Sequence, residues 1–197
     1  MSKSLPIQFY TFDKDTDEEL VEMAKYLQTH KDLVKDFEIC RKRALKLQDF
    51  PGRGTGVICA GGEGIDKNQV VAVYTGGISF ASGSILTDTH TIEVGYRVAQ
   101  GRDGLEYVLV NGLKGPTQDN VVKKRPYYLQ YFNHRCQSPN CHMTYEKCFR
   151  DDKQILGYSK ALTLRKILNG EELTVNYGGA VVMSKKEFKD KRNKLKI

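Results

Sequence analysis

The feature that most restricts how this chain can fold is a change of character at Pro51-Gly52. Upstream, apolar residues recur at helical spacing. Downstream, to about residue 110, short β-like runs alternate with glycine-rich turns. Val57-Ile58-Cys59-Ala60, Gln69 to Tyr74, Ile78-Ser79-Phe80, His90 to Val98 and Glu106 to Val110 read as strands. Gly61-Gly62, Gly76-Gly77 and Asp103-Gly104 punctuate them, and a further run, Thr174 to Tyr177, follows Asn169-Gly170. Residues 111–126 read as a loop or short helix. Short strands without regularly alternating helices argue against a doubly wound α/β sheet. The expected class is mainly β with a helical N-terminal segment, an α+β fold.

Residues 16–48 read as helices. Thr16 followed by Glu19 has the form of a capping box. Leu20, Met23 and Leu27 fall on one face, and Leu33, Phe37, Cys40, Ala44 and Leu47 repeat the helical period. Charges of both signs cover the other faces and read as solvated surface.

Length and composition exclude several classes. A chain of 197 residues fits one domain, or one domain plus a helical appendage, and 40% hydrophobic with 28% charged residues fits a globular protein. No run approaches the ~20 apolar residues needed to cross a bilayer, so no membrane association is expected. Met1-Ser2-Lys3-Ser4-Leu5-Pro6 lacks the apolar run of a signal peptide, and an intracellular location is expected. The net charge of +7 is uneven: residues 184–197 carry seven basic and two acidic side chains, a net +5. That segment reads as a basic helix or tail suited to an acidic partner.

Five cysteines form no CxxC pair. Cys136, Cys141 and Cys148 lie beside His134 and His142, residue types that tetrahedral zinc uses. Spacings of four and six intervening residues match no common closed site, so reduced, mostly buried thiols are the better reading and no metal is expected. Gly52-Arg53-Gly54-Thr55-Gly56 is followed by Val57, so it is not GxGxxG, and it precedes a strand where a dinucleotide loop would open a helix. No GK[ST] P-loop is present. If the loop holds a ligand, it does so by letting backbone approach closely.

Three separated segments say more together than apart. They are Gly52-Arg53-Gly54-Thr55-Gly56-Val57 with Val73-Tyr74-Thr75-Gly76 after it, then Tyr131-Phe132-Asn133-His134-Arg135-Cys136-Gln137-Ser138-Pro139-Asn140-Cys141, then Gly170-Glu171-Glu172-Leu173-Thr174-Val175-Asn176-Tyr177-Gly178. This ordered set resembles the SET-domain protein lysine methyltransferases, whose signatures are GxG, a YxG strand end, NHSCxPN and GEELTxxYG. The resemblance covers about residues 51–178. It divides the chain into an N-terminal helical extension (1–50), a SET-like catalytic domain (51–178) and a basic C-terminal segment (179–197). It implies a β-clip fold of small twisted sheets with a knot-like C-terminal crossing.

The resemblance also implies S-adenosylmethionine as methyl donor and a lysine of a protein, histone or nucleosome favoured, as acceptor, with the nucleus ahead of the cytoplasm as location. Arg53, Gly54 and Thr55 fall where the family holds the donor's amino-acid end by main chain. Asn133 and His134 fall at donor contacts, Tyr177 at the catalytic tyrosine, Tyr74 near the lysine channel, and Tyr107 on the donor side. Glu171 and Glu172 read as shaping a turn or forming a surface pair. Arg135 stands for the usual serine, Asn176 for the frequent aspartate, and one additional residue separates Cys136 from Pro139. Val175 occupies the position whose Phe or Tyr tunes the number of methyl groups, which leaves the product open. No cysteine follows Cys148, so the post-SET zinc cluster is absent from the chain.

The chemistry suits these residue types. Methyl transfer is an in-line displacement and mainly a positioning task. The acceptor amine must be neutral although free lysine has a pKa near 10.4. An aromatic, water-poor channel disfavours its charged form. A SET-like binding module without turnover and a nucleic-acid-binding domain built on residues 184–197 are the rival readings; steep salt dependence would mark the latter.

Overall fold

The computed structural model describes residues 10–11, 17–82, 91–98, 105–112, 129–150 and 154–177. Thr16, the loop reading over 113–126, Gly178 and the basic segment 184–197 lie outside the described residues.

Eleven strands and two helices make up the described fold, which is mainly β as its sequence predicts. Helices α1 (Glu18–Thr29) and α2 (Lys31–Arg41) are separated by His30, whose extended backbone ends one and starts the other. The cap of α1 is Asp17, whose carboxylate accepts the Glu19 amide at 2.9 Å. The Glu19 carboxylate pairs with Arg97, which also meets Glu106 at 2.8 Å and stacks over Phe80 at 3.7 Å. Leu20, Met23 and Leu27 are buried as one face, and so are Leu33 and Phe37.

The helical reading of 44–48 is corrected. Leu45–Phe50 is strand β2, in which Leu45 is buried, Lys46 exposed, Leu47 half-buried and Gln48 exposed. That is a period of two, and Ala44 before it is exposed. Strand β2 pairs antiparallel with β3 (Gly54–Cys59), Leu47 opposite Val57 and Phe50 opposite Gly54.

The remaining strands are β1 (Tyr10–Thr11), β4 (Val70–Val73), β5 (Gly76–Ser82), β6 (Thr91–Val98), β7 (Leu105–Asn111), β8 (Asn133–His134), β9 (Cys141–Arg150), β10 (Gln154–Thr163) and β11 (Glu172–Val175). A short 3-10 turn, Leu129–Tyr131, leads into β8. Their order is β1-β5-β7-β6-β10-β9-β11-β3-β2, with β4 also on β10 and β8 also on β11. The long β9–β10 hairpin supports the centre. It was not evident from sequence, because Lys160 lies in its mostly buried span and a register shift falls between Leu156 and Gly157. Lys160 is held there by Asp36 of α2, whose Oδ2 accepts from Lys160 at 2.8 Å and from the Tyr158 hydroxyl at 2.7 Å.

Strand β11 positions the site. It runs parallel to β8 (Thr174 opposite Asn133, Val175 opposite His134) and to β9, and antiparallel to β3. Four residues thus bring three distant motifs side by side. Among the described residues, no helix is long and apolar enough to cross a membrane.

Candidate active site

The GxG segment forms the turn of the β2–β3 hairpin. Gly52 and Gly54 take φ of +76° and +77°, a region costly for other residues. The Arg53 amide between them donates to the Phe50 carbonyl at 3.0 Å. Gly54 has open space where a side chain would stand, so its backbone can be approached. Thr55 is exposed and its hydroxyl donates to Asp49 at 2.7 Å.

Asn133 and Arg53 meet on one carboxylate. Glu172 Oε1 accepts from Asn133 Nδ2 at 2.8 Å, and its Oε2 accepts from Arg53 Nη1 at 2.7 Å. Gly56 lies beneath them. A Cβ there would sit 2.6 Å from Asn133 Nδ2 and 2.9 Å from Glu172 Oε1. Sequence reasoning missed Glu172 as part of this cluster. The available signal was the adjacency of two glutamates at a strand, since neighbouring residues of an extended chain face opposite sides. Glu171 duly faces the other way, to Arg165 and to Asn140 Nδ2 at 3.2 Å. The Arg165 guanidinium, with the Leu168 amide and Asn140, holds the Glu171 carboxyl down to about 2.

Asn140 was also missed as an organiser. Buried to 1% exposure, its Oδ1 accepts the Thr174 amide at 2.8 Å and its Nδ2 donates to the Glu172 carbonyl at 2.7 Å. It fixes the register of β11. The exposed Arg135 joins this frame through its backbone amide, which donates to Val175 O at 2.9 Å.

Tyr177 and His134 are brought together. The Tyr177 amide donates to His134 Nδ1 at 3.1 Å, the rings lie 5.2 Å apart, and the Tyr177 hydroxyl donates to the Phe132 carbonyl. Burial raises the phenol above its ordinary range, so it stays protonated at neutral pH. It can orient and accept, not act as a free base.

Tyr74 is buried at the end of β4, its amide donating to Ser159 O at 2.8 Å. Tyr107 is half-buried on β7, opposite Ala81 and Tyr96. Different elements therefore carry these two rings from those that carry the Asn133–Tyr177 group. Among the cysteines, burial pushes Cys40, Cys141 and Cys148 up to about 12, which leaves them as thiols. Cys136 is exposed, with Sγ 2.9 Å from His134 Nε2. Among the described residues, no group of three or more His, Cys, Asp or Glu side chains is placed to hold a metal ion.

The family model of the SET domain matches residues 11–178. No match is found among curated proteins. Similar solved structures include KRYPTONITE in complex with mCHG DNA and SAH, at 16% identity and a TM-score of 0.48, covering 74% of this chain and 26% of that one. The methyltransferase domain of human histone-lysine N-methyltransferase SETMAR is 16% identical with a TM-score of 0.43, over 72% of this chain and 46% of that one. CpSET8 from Cryptosporidium is 18% identical with a TM-score of 0.41, over 69% and 58% respectively. The chain thus spans about a quarter of the length of the KRYPTONITE chain.

Proposed function

This chain belongs to the SET-domain family, and from that premise we propose that it transfers methyl groups from S-adenosylmethionine to a lysine side-chain amine of a protein. The observation that carries the reading is the convergence of the β2–β3 turn, Asn133, His134 and Tyr177 around strand β11. The residues present fit the donor: an open glycine backbone at Gly54 for its amino-acid end, and the Asn133 carboxamide and His134 segment beside it. When bound, the donor supplies a methyl group activated on a sulfonium.

The chain's own contribution is positional. Tyr177, kept protonated by burial and anchored on the Phe132 carbonyl, leaves its oxygen lone pairs to orient the acceptor amine. In this reading Tyr74 lines the path of the approaching side chain, where a ring face suits a cation, and Tyr107 stands on the donor side. The acceptor reaches the site after losing its proton to solvent. With the donor bound, the amine's lone pair would take the methyl group, the electron pair of the broken C–S bond staying on sulfur.

A histone or nucleosome is the favoured substrate class, with the net +5 of residues 184–197 engaging an acidic partner surface such as a nucleosome offers. The test is incubation with labelled donor and a panel of core histones, nucleosomes and cell extract, followed by mass spectrometry of modified lysines. Transfer by the wild type that is lost in Tyr177→Phe supports the reading. A Tyr177→Phe variant with full transfer sinks the catalytic assignment, and absence of both donor binding and transfer in the wild type sinks the function. Because the chain is itself rich in lysine, automethylation is measured in parallel. Deleting 184–197 should weaken substrate engagement more than donor binding; equal loss of both would mean that the segment helps build the site.

A further inference from the structure

We propose that Glu172 is a positioning residue that decides which arm of the Asn133 carboxamide the methyl donor meets. The inference rests on the reading of Asn133 as a donor contact. A carboxylate only accepts hydrogen bonds, so the Asn133 atom facing Glu172 Oε1 at 2.8 Å is Nδ2. Oδ1 is thereby turned away from Glu172 and becomes the arm offered to a ligand. It is an acceptor without a proton, suited to the α-ammonium of an amino-acid headgroup. The opposite orientation would present an NH2 group to that cation and repel it.

The surroundings hold this orientation in place. The Glu172 side chain is only 14% exposed. Its second oxygen is taken by Arg53, at 2.7 Å, and Arg53 is braced over the Phe50 ring at 4.8 Å. Gly56 closes the near side, where even a methyl group would strike both Asn133 and Glu172. Arg53 can only donate, so the Glu172 atom facing it must be an acceptor. Replacing Glu172 by glutamine therefore sets the new amide's oxygen on Arg53 and its NH2 on Asn133. Asn133 then turns over, and its NH2 faces the ligand. A second exchange, Asn133→Asp, returns an oxygen to that side while every bond and the net charge of the cluster are kept.

The experiment is calorimetric titration of the full chain with S-adenosylmethionine, with S-adenosylhomocysteine, and with the S-adenosylhomocysteine analogue that lacks the α-amino group. Wild type, Glu172→Gln and Glu172→Gln/Asn133→Asp are compared, and melting curves establish that each is folded. Glu172→Gln should bind S-adenosylhomocysteine roughly tenfold or more weakly, the scale of one mispaired buried group, and should lose its preference over the desamino analogue. The double variant should regain that preference. A purely structural role for Glu172 would shift melting without touching selectivity for the amino group. Wild-type selectivity retained in Glu172→Gln overturns the inference alone; absence of any donor binding by the wild type overturns the donor reading and the inference together. Should Glu172→Gln not fold, the double variant decides: selectivity kept supports the proposal, selectivity lost overturns it.

Discussion

The backbone amide of Tyr177 donates to Nδ1 of His134 at 3.1 Å, 43 residues away in sequence. This bond requires Nδ1 to be the unprotonated nitrogen, which places the proton of the neutral ring on Nε2, toward Cys136 Sγ. The ring is thus a bracket for the residue proposed to do the chemistry.

His134→Ala should leave the Tyr177 amide without its partner and cost about 1–3 kcal/mol of stability, together with methyl transfer. His134→Asn, whose side-chain oxygen can stand in for Nδ1, should recover much of both. Thermal melts and the transfer assay on the two variants check this, and equal losses would mean that the acceptor atom is not what matters.

Gly56→Ala should damage the cluster from beneath. Its Cβ would lie 2.6 Å from Asn133, 2.8 Å from Phe50 and 2.9 Å from Glu172. Overpacking of this kind costs about 1–3 kcal/mol. Urea denaturation should register the loss, and donor titration should register a fall in affinity.

Acid should loosen the turn that precedes β11. Arg165 and its neighbours depress the Glu171 carboxyl from its ordinary 4.5 to about 2. Its contribution to stability is therefore complete above pH 4.5 and is lost as pH falls toward 2. Glu171→Gln should be less stable than wild type at pH 7 and should lose less additional stability between pH 5 and pH 2.5, a difference that melts across that window would detect.

Asp36→Ala should release α2 from the sheet. It removes the acceptor of both the Tyr158 hydroxyl and Lys160, whose side chain is 14% exposed. Stranding a largely buried charge in this way costs about 3 kcal/mol. Glu146, at 3.2 Å from Lys160, offsets part of it. Chemical denaturation gives the magnitude, and a loss confined to a few tenths of a kcal/mol would refute the clamp.

Much of the frame was legible in the chain. Helical periodicity located the buried faces of α1 and α2, since a 3.6-residue repeat is a local property. The runs at 69–74, 78–80 and 106–110 each contain or lie within a strand, because apolar and β-branched residues between glycines have few other uses. Failures came where tertiary contacts override local signals. Leu47 serves a helix repeat with Ala44 and a strand alternation with Leu45 equally well, and only the pairing of Leu45 and Leu47 with Cys59 and Val57 decides for the strand. Lys160 disguised β10, since a lysine reads as surface until Asp36 is known to wait for it.

The sequence by itself determined the mainly β class, the apolar helix faces and the ordered motifs that mark Arg53, Asn133, His134 and Tyr177. Only the tertiary structure decided that Glu172 faces Arg53 and Asn133 while Glu171 faces Arg165 and Asn140. Two adjacent glutamates are chemically identical in the chain. Strand geometry sends them to opposite sides, and the 119-residue span between Arg53 and Glu172 closes only when β3 and β11 pair.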